Sequence, residues 1–333
     1  MHRLALVLVA LSLLGCRHPA ASSSLQELRI ALPNDWITWL PVELAQALGY
    51  TQQEGITLSV SETNGLGKAM EALLGGSVQV TAGTLAQSIH LAAEGRRLRC
   101  IVGLYTRPAV ALMVAPPMTT TIRTVRDLVS RRVGVASAGS ASHQFLDFLL
   151  VSEGLTPQDV HPVSVGTAAP SIAALEHGTV DAGVLVASAI PTFQRRHPDA
   201  RALVDTRSED GAQRVFGTTN FPNSCVIAED DWLAGHADSA RRLVRAVQSA
   251  MQWMRTHSAE EIRARIPESL RIPDHEAELQ AIRQAKDTLS RDGSIAPDAA
   301  ETVRRYVAVY NDKVRNTRLD LSHTYTNEFV AGR

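Results

Sequence analysis

From Leu25 onward, apolar and polar positions follow a repeating order. Short apolar runs at 27–32, 56–60, 78–81, 98–104 and 110–114 have the length and residue content of strands. Between them, 39–48, 68–74 and 85–94 carry apolar residues at helical spacing. These stretches end at Gly49, Gly75 and Gly95, residues suited to the turn that closes a helix. The alternation breaks at Ala115-Pro116-Pro117 and then resumes. Thr124 and Asp127 form a capping-box pair, a strand is predicted over 132–136, and a helix over 141–153 stops at Gly154. Strand, helix and strand follow at 161–165, 171–177 and 181–186, and the polar stretch 206–220 closes this unit. The last third is helical. Leu243, Val244, Val247, Ala250, Met251 and Met254 make one apolar stripe, and Leu279, Ile282 and Leu289, then Val303, Tyr306, Val307 and Tyr310, make two more.

This order predicts an α/β chain with mainly parallel sheets flanked by helices. Its 333 residues supply a core for each of two lobes. Crossings are expected at 115–117 and 220–223, giving lobe I as 25–115 plus 221–333 and lobe II as 116–220. A ligand then belongs between the lobes, at the carboxyl ends of the strands.

The first residues follow a different pattern. A basic start, Met1-His2-Arg3, precedes an apolar run over 4–14 that ends in Leu13-Leu14-Gly15-Cys16. The run is too short to span a bilayer and has the length of a secretory signal. It resembles the bacterial lipoprotein signal, which implies a signal peptide over 1–16, lipidation of Cys16 and a membrane-anchored, extracytoplasmic protein. Which membrane holds the anchor stays open. Each buried acyl CH₂ contributes about 0.8 kcal/mol, so several chains together anchor firmly. Residues 17–24 read as a short tether. The other two cysteines, Cys100 and Cys225, lie in apolar, strand-like runs. The pattern favours free buried thiols, and export to an oxidising space leaves a disulfide open.

Composition narrows the function classes. A net charge of −1 gives no basic footprint for nucleic acid. Eleven histidines are scattered without metal-ligand spacing, so neither a metal site nor a cofactor is expected. Asn64-Gly65-Leu66-Gly67-Lys68 lacks the phosphate-loop spacing and reads as a cleft loop. Ser140, His143 and Asp147 share a helix face, yet no nucleophile elbow accompanies them.

Four stretches carry a family resemblance: Leu40-Pro41-Val42-Glu43-Leu44-Ala45-Gln46-Ala47-Leu48-Gly49-Tyr50 with Glu54-Gly55-Ile56; 67–80; Val125-Arg126-Asp127-Leu128 with 133–142; and 173–182. Together they resemble substrate-binding proteins for aliphatic sulfonates, taurine and nitrate, and the related thiamine-pyrimidine binders, from about residue 27 to about 230. The resemblance implies a two-lobed type II periplasmic-binding fold, closure on a small polar or anionic solute, and delivery by a monomer to an ABC-type permease. A sensor reading and an enzyme reading stay open beside it. The pyrimidine-synthase branch of the family carries a cysteine-rich iron motif, which this chain lacks.

The candidate ligand contacts sit in strand-to-helix turns. They are Asn34, Asp35 and Trp36 in the first turn, with Trp39 expected in the core; Gly65, Leu66 and Gly67 in the second; and Gly83 and Thr84 in the third. In lobe II they are Ser137, Gly139, Ser140 and Ala141, where helix N–H groups and hydroxyls suit an anion. Ser188 and Asn220 complete the set. Lys68 is the main basic candidate in these loops.

Overall fold

The computed structural model describes residues 25–330. The signal over 1–16, the Cys16 anchor and the tether over 17–24 lie outside the described residues.

The first lobe begins with β1 (Gln26–Pro33), α1 (Leu40–Ala47), α2 (Tyr50–Gln53), β2 (Ile56–Thr63), α3 (Leu66–Leu74), β3 (Val80–Thr84), α4 (Leu85–Ala92) and β4 (Leu98–Gly103). The second lobe follows as β5 (Val110–Val114), β6 (Arg132–Val135), α5 (Ala141–Ser152), β7 (His161–Ser164), α6 (Ala169–Glu176), β8 (Ala182–Val186), α7 (Ala189–Arg196), β9 (Ala202–Asp205) and α8 (Glu209–Phe216). The chain then returns through β10 (Ser224–Glu229) to α9 (Asp230–Thr256), α10 (Ala259–Arg265), α11 (His275–Thr288), α12 (Pro297–Tyr310) and α13 (Asp312–Asn316).

There are two five-stranded sheets, ordered β2-β1-β3-β10-β4 and β7-β6-β8-β5-β9. Both are mixed. β10 runs antiparallel to its neighbours β3 and β4, and β5 runs antiparallel to β8 and β9. The remaining pairs are parallel, as in β1 and β2, which stay in register from Gln26–Ile56 to Pro33–Thr63.

The first crossing lies at 104–109, between β4 in one sheet and β5 in the other. The expected crossing at 115–117 sits beyond β5, on a 3-10 turn over Pro116–Met118. An apolar run shows that a strand is buried but not which sheet it joins, and β5 belongs to the second sheet, between β8 and β9. The return crossing runs through 217–223. The polar stretch before it also holds α8, capped by Ser208 Oγ, which accepts from Gly211 N–H at 3.0 Å.

Cys100 and Cys225 form a disulfide, with Cα atoms 5.6 Å apart, which corrects the expectation of free thiols. The cysteines are distant in sequence, and only the insertion of β10 beside β4 brings them together.

The helical third is shared between the lobes. The α9 stripe is fully buried on the first core, whereas α12 packs against both α4 and α5. Asp274, the N-cap of α11, pairs with Arg195 of α7 at 3.1 Å.

The disulfide closes a loop with a sequence separation of 125. Replacing both cysteines with serine is expected to lower unfolding free energy by about 2–5 kcal/mol, since the cross-link restricts the unfolded chain. Urea unfolding with and without reductant measures this. Identical curves for wild type in both conditions would mean that the thiols are unpaired.

Candidate functional site

The first wall grows from the end of β1. Residues 36–39 form a 3-10 turn, and Thr38 Oγ1 donates to Asp35 Oδ2 at 2.6 Å. From the other lobe, just before α7, Ser188 Oγ donates to Asp35 Oδ1 at 3.1 Å. Thr167 Oγ1 donates to Asn34 Oδ1 at 3.4 Å. Asn34 and Asp35 therefore join the lobes across the cleft. Burial pushes the Asp35 carboxyl above its usual range, opposed by the donors Thr38 and then Ser188. Tyr105, on the first crossing, donates its OH to Ile37 O at 3.1 Å. Burial, then the nearby Asp35, drives this phenol far above its usual range.

The other turns behave differently from one another. Thr84 makes a capping box with Gln87: Thr84 Oγ1 accepts from Gln87 N–H at 3.2 Å, and Gln87 Oε1 accepts from Thr84 N–H at 3.1 Å. At Ser137–Ala141 the polar groups mostly bind each other. Ser140 Oγ accepts from the N–H groups of His143 and Ser137, both at 3.3 Å. Gly139 N–H donates to His143 Nδ1 at 2.9 Å, and Ala136 N–H donates to Ser142 Oγ at 2.8 Å. Much of the expected anion-binding capacity is thus spent within the turn.

These walls line a cavity of about 160 Å³ that is partly open to solvent. Its aromatic side is built from Phe145 on α5, Phe216 on α8, Phe221 on the return crossing and Tyr306 on α12. Phe216 and Phe221 stack at 4.1 Å between centroids, and Tyr306 meets Phe221 edge-on at 5.2 Å. Trp39 lines the cavity, and its indole Nε1 is buried without a hydrogen-bond partner among the described residues.

Of the sequence candidates, Asn34, Asp35, Gly65, Leu66 and Thr84 line this cavity from the first lobe, and Ser137, Ser140 and Ala141 from the second. Ser188 reaches it only through Asp35. Trp39 packs in the core as expected, 3% exposed, and also lines the cavity, whereas Trp36, expected at the ligand, is buried in the same core and does not line it. Gly67 and Gly139 are outside the lining, as is exposed Asn220 beside Phe221. Gly83 serves packing, since a Cβ there would meet Ile227 Cδ1 of β10 at 2.5 Å. Lys68 is 66% exposed, pairs with Glu71 at 2.6 Å and does not line the cavity. His143 and Asp147 approach to 3.8 Å, but Ser140 Oγ is occupied as a helix cap.

Sequence reasoning missed Tyr105 and Arg107 on the first crossing, the aromatic side, and Asn223 and Gln284. A signal existed for Arg107, a charged residue set between two apolar strands. Among the described residues no cluster of three or more potential metal ligands occurs, and no helix is long and apolar enough to cross a membrane.

Comparison with known proteins bears on family and fold. A family model described as NMT1/THI5 like matches residues 36–261. The 4-amino-5-hydroxymethyl-2-methylpyrimidine phosphate synthase of Schizosaccharomyces pombe is 24% identical over 219 residues, covering 63% of this chain and 60% of that protein. The chain thus matches about 60% of that curated relative's length. A solved structure from Bordetella bronchiseptica RB50 is 27% identical with a TM-score of 0.84, covering 91% of this chain and 95% of the other. The periplasmic aliphatic sulphonate binding protein of Escherichia coli shares the fold at 20% identity and a TM-score of 0.68, covering 90% and 97%.

The environment of Asp35 predicts a pH effect. Its folded pKa is raised, so its stabilising contribution is full below the unfolded value of about 4 and is lost as pH rises through the folded one. Asp35→Asn keeps an acceptor and removes the desolvated charge. It is expected to stabilise the protein more at pH 7.5 than at pH 4. Thermal melts of both proteins across that range check this, and parallel stability curves would rule it out.

Proposed function

The chain belongs to the NMT1/THI5-like family, and from that premise we propose that it is the extracytoplasmic solute-binding component of an ABC-type importer. On this reading it has no catalytic turnover and works as a monomer. A lipid on Cys16 holds it at the membrane, and it hands one small solute to a permease. The observation that carries the reading is the interlobe cavity, with walls from both lobes and from both crossings. A solute touching both walls stabilises the closed arrangement over an open one, which lets a permease distinguish loaded from unloaded protein. The sulphonate-binding neighbour supports the same reading.

The name of the curated relative favours a second reading, an enzyme that forms a pyrimidine phosphate. Mass spectrometry of solute recovered after incubation separates the two. Unchanged solute is expected, and conversion over many turnovers would replace the first reading with the second.

Two further outcomes are expected. In a thermal-shift screen of residues 17–333 against sulfonates, carboxylates, nitrate and pyrimidines, at least one class raises the melting temperature. A solute at 100 times its Kd adds about 2.7 kcal/mol. A flat response throughout would reject solute binding. Cys16→Ser is expected to move the protein from the membrane fraction to the soluble extracytoplasmic fraction, and unchanged membrane retention would reject the anchor.

A further inference from the structure

We infer that the cavity takes a zwitterionic solute with a flat apolar body, its cationic nitrogen held by Asp35 and its acidic group by Arg107. This rests on the solute-binding reading and specifies the chemical class of the solute.

Asp35 and Arg107 are the two charged side chains among the described residues that line the cavity, and they have opposite signs. They make no ion pair with each other. The hydrogen-bond partners of Asp35 are the hydroxyls of Thr38 and Ser188, each using one acceptor position on a carboxylate that offers about four. A protonated nitrogen is the group that best satisfies a buried carboxylate still short of a cation. An anion placed beside it meets like charge in a setting where water screens little.

Arg107 is 8% exposed. Its Nε donates to Arg207 O at 3.2 Å, and its Nη1 lies 3.6 Å from Glu209, whose side chain is 71% exposed. So open a pair is a weak competitor for the guanidinium. Nη2 has no hydrogen-bond partner among the described residues, which leaves a planar donor edge suited to a carboxylate, sulfonate or phosphate. The alternative anion positions are weaker. The Ser137–Ala141 turn spends much of its donor capacity internally, and Lys68 lies outside the cavity. In the same cavity, Trp39, Phe145, Phe216, Phe221 and Tyr306 offer ring surface for a flat body.

Isothermal titration calorimetry at pH 7.5 tests this with 4-(aminomethyl)benzoate, which carries both charges, benzylamine, which carries only the cation, and 4-methylbenzoate, which carries only the anion. Taurine and nitrate complete the panel. The doubly charged aromatic probe is expected to bind at least ten-fold more tightly than every other member. Asp35→Asn should weaken it by roughly 10- to 100-fold without weakening 4-methylbenzoate, because a charge-assisted hydrogen bond is lost. Arg107→Gln should weaken it similarly without weakening benzylamine. Arg107→Lys, which retains the charge, should keep the preference for probes bearing an acid. Melting curves confirm that each variant is folded. If 4-methylbenzoate or nitrate binds more tightly than the zwitterion, the inference is overturned while solute binding stands. If no probe binds and the wider solute screen is also flat, both fall.

Discussion

The fold depends on filling one slot. β3 and β4 belong to the same sheet but do not touch; a strand must lie between them to satisfy their facing N–H and C=O groups. No segment between β3 and β4 fills it. β10 does, and β10 enters only after the whole second lobe has been threaded. The second sheet repeats the device, with β5 lying between β8 and β9. In each lobe the antiparallel strand is the one beside a crossing, so neither sheet is complete without a segment that has passed between the lobes. The Cys100–Cys225 bond ties the returning strand to its neighbour.

The position of the cavity follows from that double crossing. The two linking segments run side by side beneath the gap between the sheets, and Phe221 N–H donates to Thr106 O at 2.6 Å to bind them together. Tyr105 and Arg107 therefore reach the site from one link, and Phe221 and Asn223 from the other. The C-terminal helices complete the enclosure, because α11 and α12 each touch both lobes. The hydrogen bonds Ser188–Asp35 and Thr167–Asn34 then span the mouth and hold the lobes close. The same closure removes Asp35 from water, so its shifted acidity is a consequence of the topology.

Much of this was legible in the residues. Glycine stops after helices, capping pairs and apolar runs depend on a few neighbours, so β1, α4, α5 and α9 stand close to where the pattern puts them. The strand-to-helix turns also announced much of the cleft: Asn34, Asp35, Leu66, Thr84, Ser137 and Ser140 all face it. The less legible features were non-local. Nothing near β5 records that its partners are β8 and β9, so the first crossing was read too late in the chain. Both Trp36 and Trp39 pack in the core, and which of them also reaches the cavity depends on how a short 3-10 turn presents two similar side chains.

The sequence by itself determined the α/β class, the two-lobed organisation, the family and the turns that form most of the first-lobe wall, because each is written in local periodicity and short motifs. Tertiary structure alone decided the pairing of Cys100 with Cys225, the place of Arg107 in the cavity lining, the aromatic side assembled from four separate elements, and the buried state of Asp35. Each of these depends on groups far apart in the chain, and they meet only when β10 closes the first sheet and brings the lobes together.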